Sequence, residues 1–556
     1  MPPATGQIVP AASPPPLSPA AALGRMARLL AGLLGLASLT SACAPPHPGT
    51  SLIVASKARI DSLDPVQASR SGQMQVLSAL GDPLYAITAA GTIEPRLASG
   101  PPVLSADGLR ARIPLRKGVQ FHDGTPFDAA AMVFSLQRFM AIGTLGYQFS
   151  DRVKAVRATG NHEIELELKA PFSPLPRLLS AIFLTPVSPT AYRSHATKPL
   201  NDRFVGTGPY SLSFFNGQQQ RLTPFPGYWG ARPANGGIDL VTLSNSTALL
   251  GALRSGEVDV LLASGLEIDH QQALHRDAAA GRLREGSGPP LSIGFFSLLT
   301  DQPPLNNVAL RRALARSLDR ATITERVSLG MRPPLRQLIP PSLAGSDPEA
   351  WPAYDPAAAR ALYRQAGYCN GKVLGLPLTF RSDIPSDRLL ALTWQAQVRR
   401  DLGDCLELQV SGMESTTAYD QLGKGALTLF FYDWIGDYPD PDNFLSPLLG
   451  CEQSRGNRCL KGNSALSGSF WTEPGLQQDL IRSTELEGQP RVALLQTIQR
   501  RVADASPYLP VWLMAPVAWS RPGVSRPSYD GSGRVQLGDL QQDVRPAPAH
   551  PREVRR

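Results

Sequence analysis

From Leu376 to Tyr432 the hydrophobic pattern alternates between strand-like and helix-like periods in a fixed order. Leu376–Phe380 reads as a strand, Ser386–Leu402 as a helix, Leu406–Val410 as a strand, Thr416–Leu422 as a helix and Leu427–Tyr432 as a strand. Strand–helix–strand crossovers within one sheet are almost always right-handed, so two in succession make these three strands parallel. A parallel sheet has to be covered on both faces, which places the chain in the α/β class. The last strand is apolar with no period of its own, as a strand buried on both faces should be. It runs directly into Asp433, Trp434, Gly436, Asp437 and Tyr438, and then into a Pro-rich turn. Ligands of open α/β sheets sit in the crevice outside the carboxyl ends of the strands. Two readings of this stretch stand. Aromatics and a carboxylate face a pocket for a cationic group, or Pro-Asp-Pro-Asp is ordinary turn chemistry and Asp437 caps a loop.

A chain of 556 residues exceeds one core, so two or three domains are expected. The formal charge of +8 is small for that length, and the arginines fall in amphipathic helices or the last residues. That argues against a nucleic-acid surface. At the start, Arg25, Met26 and Arg28 precede an apolar run, Leu29–Leu39, and then Thr40-Ser41-Ala42-Cys43. Basic residues, a short apolar run and small residues before a cut form a secretory signal, with translation read as starting at Met26. The run is too short to span a bilayer. Its end resembles the bacterial lipobox, with Thr40 where Leu is usual, and that resemblance implies lipidation of Cys43. The alternative is an ordinary signal peptide with an unmodified Cys. Four further cysteines remain in an oxidising compartment. Cys451 and Cys459 would close a short polar loop, and Cys369 and Cys405 each precede a strand at one edge of the parallel sheet. Those pairings compete with free thiols.

The first half reads as a strand at Ser51–Ser56, a Leu63-Asp64-Pro65 turn, a helix over Val76–Leu84 and short strands separated by turns. Asp128 is placed to cap a helix with Met132, Val133, Leu136, Phe139 and Met140 on one face. Val153–Leu168 alternates like a hairpin about Gly160-Asn161. His122 beside Asp123 has no nucleophile placed with it and reads as a turn residue. Gly206-x-Gly208 lacks the third glycine and the following helix of a dinucleotide fingerprint. From about Leu291 a second α/β unit begins, with helices capped by Asn307, Asp319 and Asp355-Pro356. Tyr508–Met514 reads as a buried strand. No Gly-x-Ser-x-Gly elbow, Walker loop or His-Glu-x-x-His is present, and His270 and His275 are wrongly spaced for one helix face. No metal, cofactor or catalytic residue is expected.

Seven blocks in order carry a resemblance to a known family: SLDP (62–65), LRKGVQFHDGTPFDAAAMVFSLQR (115–138), GTGPYSL (206–212), GYWG (227–230), LRRALARSLDR (310–320), WIGDYPDPDNF (434–444) and PYLPVW (507–512). Together they resemble bacterial extracellular solute-binding proteins of family 5, the peptide- and nickel-binding lipoproteins of ABC importers. The resemblance implies a two-lobed, type II-like clam of the periplasmic-binding-protein kind, with an extra α+β domain inserted in the first lobe. The expected boundaries are a signal peptide over 1–42, a tether over 43–50 and first-lobe segments over 51–80 and 201–290. An inserted domain over 81–200, a second lobe over 291–506, a return to the first lobe over 507–540 and a disordered tail over 541–556 complete the chain. The resemblance also implies that Asp437 pairs with a ligand's α-amino group, with Trp434, Ile435, Gly436 and Tyr438 lining the pocket and Arg70 as a carboxylate partner. The implied partners are a peptide or other small solute, an ABC permease and its ATPase, and a membrane reached through the lipid anchor. The protein is expected to be a monomer in the periplasm or cell envelope. Pro226-Gly227 stands where the family often has Asn, and the acidic residue common after SLDP is absent. A nickel chelate, glutathione or an oligosaccharide therefore remain alternative ligands, and an exported hydrolase or a non-transport sensor remain rival classes.

Overall fold

The structure, a computed structural model, describes residues 51–543. The signal segment, the tether and Cys43 lie outside the described residues. Among those described, no helix is long and apolar enough to cross a membrane.

The regular series in the second half folds as its periodicity dictates. Strands Leu374–Arg381, Leu406–Met413 and Leu429–Ile435 alternate with helices Pro385–Leu402 and Ser415–Gly423. The first strand pairs in parallel with both others, from Leu374 opposite Leu406 and Leu378 opposite Leu429. Two antiparallel strands complete a five-stranded sheet, Ser292–Leu298 beside Leu429–Ile435 and Tyr508–Met514 at the edge. One face packs Trp394, Leu378 and Phe296, the other Phe295, Phe430 and Trp351. Cys369 joins Cys405 at the start of the paired strands, with Cα atoms 4.1 Å apart, and Cys451 joins Cys459 across a small hairpin, 5.7 Å apart. The arginines of the 310–320 block are internal ties. Arg311 donates to the carbonyls of Ala505 (2.6 Å) and Leu305 (2.7 Å), and Arg320 to that of Pro510 (2.6 Å).

The first half is built on a seven-stranded mixed sheet in which Leu52–Ser56 lies between Ile238–Thr242 and Val260–Leu262, parallel to both. Residues 103–168 supply a separate four-stranded antiparallel sheet, backed by the helix Ala129–Ile142 that Asp128 caps through the Ala131 N–H at 2.9 Å. One continuous core, running from Leu52 and Leu77 through Phe139 and Phe183, joins this unit to the seven-stranded sheet. The Gly206-x-Gly208 turn is a packing device. Gly208 donates its N–H to the Leu80 carbonyl at 2.9 Å, and a Cβ there would stand 2.4 Å from the Leu80 carbonyl carbon. His122 clasps the same turn, accepting from the Gly206 N–H at 3.3 Å and lying 3.1 Å from the Gly208 carbonyl.

Two sequence boundaries move. The strand Tyr508–Met514 belongs to the second sheet, and the chain re-enters the first only at Val517–Ser520, which pairs with Val260–Leu262 and Arg284–Ser287. Its seven residues are almost wholly buried, and the second half has two apolar layers to cover them. Gln541–Asp543, expected to be disordered, are folded onto the first half. Gln542 bridges to Val524, and Asp543 accepts from Arg284 at 2.6 Å.

The chain passes between halves at 288–291 and again at 515–516. These two segments are bonded to each other, the Gly288 N–H donating to the Pro516 carbonyl at 2.9 Å. They continue an antiparallel ribbon whose ends are Ser287 opposite Val517 in one sheet and Ser292 opposite Met514 in the other. Two short, cross-bonded strands with no side-chain core of their own can bend as a unit.

Candidate functional site between the two halves

The strand Leu429–Ile435 ends where the halves meet, and the residues after it form a fastened loop rather than a free turn. The Trp434 indole N–H donates to the Asn443 carbonyl at 2.8 Å, the Gly436 N–H to the Leu291 carbonyl at 3.2 Å, and the Asp437 N–H to Asn443 Oδ1 at 2.7 Å. Asn443 can do this because Asp442–Leu449 is a helix. Pro447 inside that segment argues against a helix on sequence grounds, since it removes a backbone donor.

The loop holds the Asp437 carboxylate, half-buried, against the first half. Gln148, on the short helix Gly146–Ser150 of the inserted unit, donates from Nε2 to Asp437 Oδ2 at 2.5 Å. Asp437 has no ion-pair partner among the described residues. Burial pushes its carboxyl up to about 6, while the Gln148 hydrogen bond, the Arg534 charge and Asn443 pull it down. Arg534 comes from the final loop of the first half, where its Nη2 donates to Met74 Sδ at 3.7 Å. The site therefore draws on three parts of the chain: the second sheet, the inserted unit and the C-terminal return.

The other residues predicted from sequence are placed differently. Trp434 is half-buried, its indole N–H turned to Asn443, and the Ile435 side chain is 53% exposed. Tyr438 does not line an open pocket. It is 4% exposed, packed in the first half's core, and its hydroxyl donates to Asp442 Oδ2 at 3.1 Å. Arg70 is exposed at the start of the helix Ser71–Leu80, where its N–H is held by Gln73 Oε1 at 3.2 Å. It forms no ion pair among the described residues, and no contact brings it to Asp437. Gln148, Asn443 and Arg534 carry no motif. Only Asn443 had a sequence signal, as part of the WIGDYPDPDNF block.

Around the loop, further contacts tie the halves together. Arg152 of the inserted unit donates to both oxygens of Asp442 at 3.1 Å, and its guanidinium lies 5.0 Å from the Phe172 ring. Arg177 donates to the Pro439 carbonyl at 3.0 Å, and Ser173 donates from its N–H to the Thr484 carbonyl at 2.7 Å and from its hydroxyl to the Leu486 carbonyl at 2.9 Å. A cavity of about 250 Å³ lies on the hinge side of the loop, between Ala90, Gly91, Leu291 and Pro439. A second charged cluster caps the parallel strands. Arg381 is bonded to Asp387 at 2.6 Å, to the Tyr419 hydroxyl at 3.1 Å and to Asp433, so its charge is already matched.

This geometry can hold a small guest by its charged groups while two halves enclose it. No nucleophile with an adjacent base faces the loop. Known proteins of similar sequence and fold agree with that description. The chain is 26% identical over 489 residues to the glutathione-binding protein GsiB of Salmonella choleraesuis (strain SC-B67), covering 86% of this chain and 91% of the relative. It is 27% identical over 432 residues to GsiB of Escherichia coli O1:K1 / APEC, covering 75% and 81%. In fold it is similar to a dipeptide-binding protein of Pseudoalteromonas sp. SM9913 in complex with Met-Leu, with a TM-score of 0.75, 21% identity and coverage of 89% of this chain and 100% of that one. It is equally similar to NikA of Brucella suis in complex with Fe(III)-EDTA, with the same TM-score, identity and coverage. Residues 92–456 match the family model for the middle region of these proteins, and the chain belongs to the bacterial extracellular solute-binding proteins, family 5.

Proposed function

We propose that this protein is the substrate-binding component of an ABC importer, capturing di- or oligopeptides by closure of its two halves and presenting the closed form to a permease. A partner ATPase supplies the energy, and no bond in the guest is made or broken. The N-terminal segment would direct export, and acyl chains on Cys43 would hold the mature monomer at the membrane surface; two or more acyl chains suffice for that without a spanning helix. The observation that carries the reading is Asp437. An anionic group, half-buried at the meeting of the halves, lacks a cationic partner in direct contact, and a peptide's ammonium group supplies one. A guest can shift the open–closed balance only by binding the closed form better, and a charge pair completed on closure does that.

Replacing Asp437 by Ala should weaken peptide binding at least tenfold in calorimetry, with the fold retained by circular dichroism. Unchanged affinity would remove Asp437 from the site. A peptide recovered intact after long incubation with the protein separates capture from hydrolysis. Mass spectrometry of the solute that co-purifies with native protein reports the guest directly.

A further inference from the structure

Two polar groups beside Asp437 are left with unused capacity. Gln148 turns its Nε2 donor to the carboxylate, which leaves its Oε1 buried with no donor. The two amide atoms share one carbon, so this unsatisfied acceptor sits within a few ångströms of the Asp437 oxygens. Buried acceptors are nearly always paired, and an orphan at a binding site marks a place where a guest supplies the donor. Arg534 is the second. Its guanidinium has five N–H donors, yet it forms no ion pair among the described residues and has only the Met74 sulfur as a side-chain partner. Its charge is felt at Asp437, and that of Asp437 at Arg534.

From these placements we infer that the site takes an α-amino-acid head group, with ammonium and carboxylate on one carbon. The ammonium presents three donors, which Asp437 and Gln148 Oε1 accept, while Arg534 takes the carboxylate in a planar two-bond contact. This rests on the amine reading of Asp437 and narrows it. An α-linked dipeptide separates its two charged ends by an additional residue of chain, ~3.5 Å. A γ-linked peptide keeps both charges on its first carbon, and so does a free amino acid. The inference therefore selects γ-linked over α-linked guests of identical composition.

The test is calorimetry with γ-glutamylglycine and α-glutamylglycine on the full mature protein. The γ isomer is expected to bind at least tenfold tighter. Arg534→Gln should abolish that preference, and Gln148→Leu should weaken the γ isomer several-fold. Equal affinities in the unaltered protein, tighter binding of the α isomer, or no binding of either isomer overturn the inference without any variant having to fold. A preference that survives Arg534→Gln also overturns it. If α-linked peptides bind and Asp437→Ala weakens them, the amine reading stands while the head-group inference falls. If Asp437→Ala changes the binding of no peptide, both fall.

Discussion

Asp437 owes its behaviour to its surroundings rather than to its own chemistry. Taken out of water by the closing halves, a carboxylate loses hydration, and its affinity for a proton rises. Here burial dominates over the opposing pull of Gln148, Arg534 and Asn443, and the carboxyl titrates near 6. Tyr147, whose phenol is also pushed up by burial and by the Asp437 charge, stays neutral through this range. A guest ammonium binds the ionised carboxylate and competes with the proton. Affinity for an amine-bearing guest should therefore be flat above about pH 7 and fall as pH drops through 6, approaching tenfold per unit below it. Binding near pH 6 should also release protons, which calorimetry in buffers of different ionisation enthalpy measures. Affinity independent of pH between 5 and 8 would show that the guest does not use this carboxylate. The Asp437→Ala protein should lose the pH dependence together with the affinity.

The elements divide into those set by local pattern and those set by contact. The strand–helix series from Leu374 to Ile435 arises from its periodicity, and Asp128 and Asp355 cap the helices they were expected to cap. Asp437 was legible as a candidate because a buried strand delivers it to the end of a parallel sheet. Gln148 and Arg534 were not, because each reaches the site from a part of the chain 289 or 97 residues away, and no local period encodes that. The buried strand Tyr508–Met514 shows the same limit, since burial on both faces does not say which sheet provides the faces. Gly206-x-Gly208 was legible as a turn, but its cause is tertiary: a Cβ on Gly208 would stand 2.4 Å from the backbone of Leu80. Backbone cannot yield as a side-chain tip can, so Gly208→Ala should destabilise by about 2–3 kcal/mol, within the range of overpacking costs. Thermal unfolding measures this, and a melting temperature within a degree of the parent would mean that the turn relaxes freely. Gly251 has nothing within 4 Å of an added Cβ and is the control, for which alanine should be neutral or better.

At the scale of the molecule, the inserted unit is the part of the first half that grips the second. The ribbon at 288–291 and 515–516 can bend, so the stability of the closed form depends on the groups buried at the far side of the loop. Tyr438 crosses into the first half's core, and burying a side chain of that size is worth roughly 1.5–3 kcal/mol. Arg152 adds a paired contact to Asp442, whose side chain is 2% exposed against 24% for the arginine. A buried pair broken on one side costs about 3–5 kcal/mol, and partial exposure of Arg152 lowers that to roughly 1–3. Asp442 keeps the hydroxyls of Tyr438 and Ser446 in the closed form and would regain water only in the open one. Removing the arginine therefore penalises closure specifically. Since 1.4 kcal/mol is tenfold in an equilibrium, Arg152→Ala should weaken peptide capture about tenfold or more, although Arg152 lies outside the group around Asp437. The guest-free variant should also show a larger radius of gyration in small-angle scattering and contract when guest is added. A scattering profile and an affinity both identical to those of the parent would mean that the hinge ribbon holds the halves together without this latch. An affinity loss with no change in radius would instead place Arg152 at the guest itself.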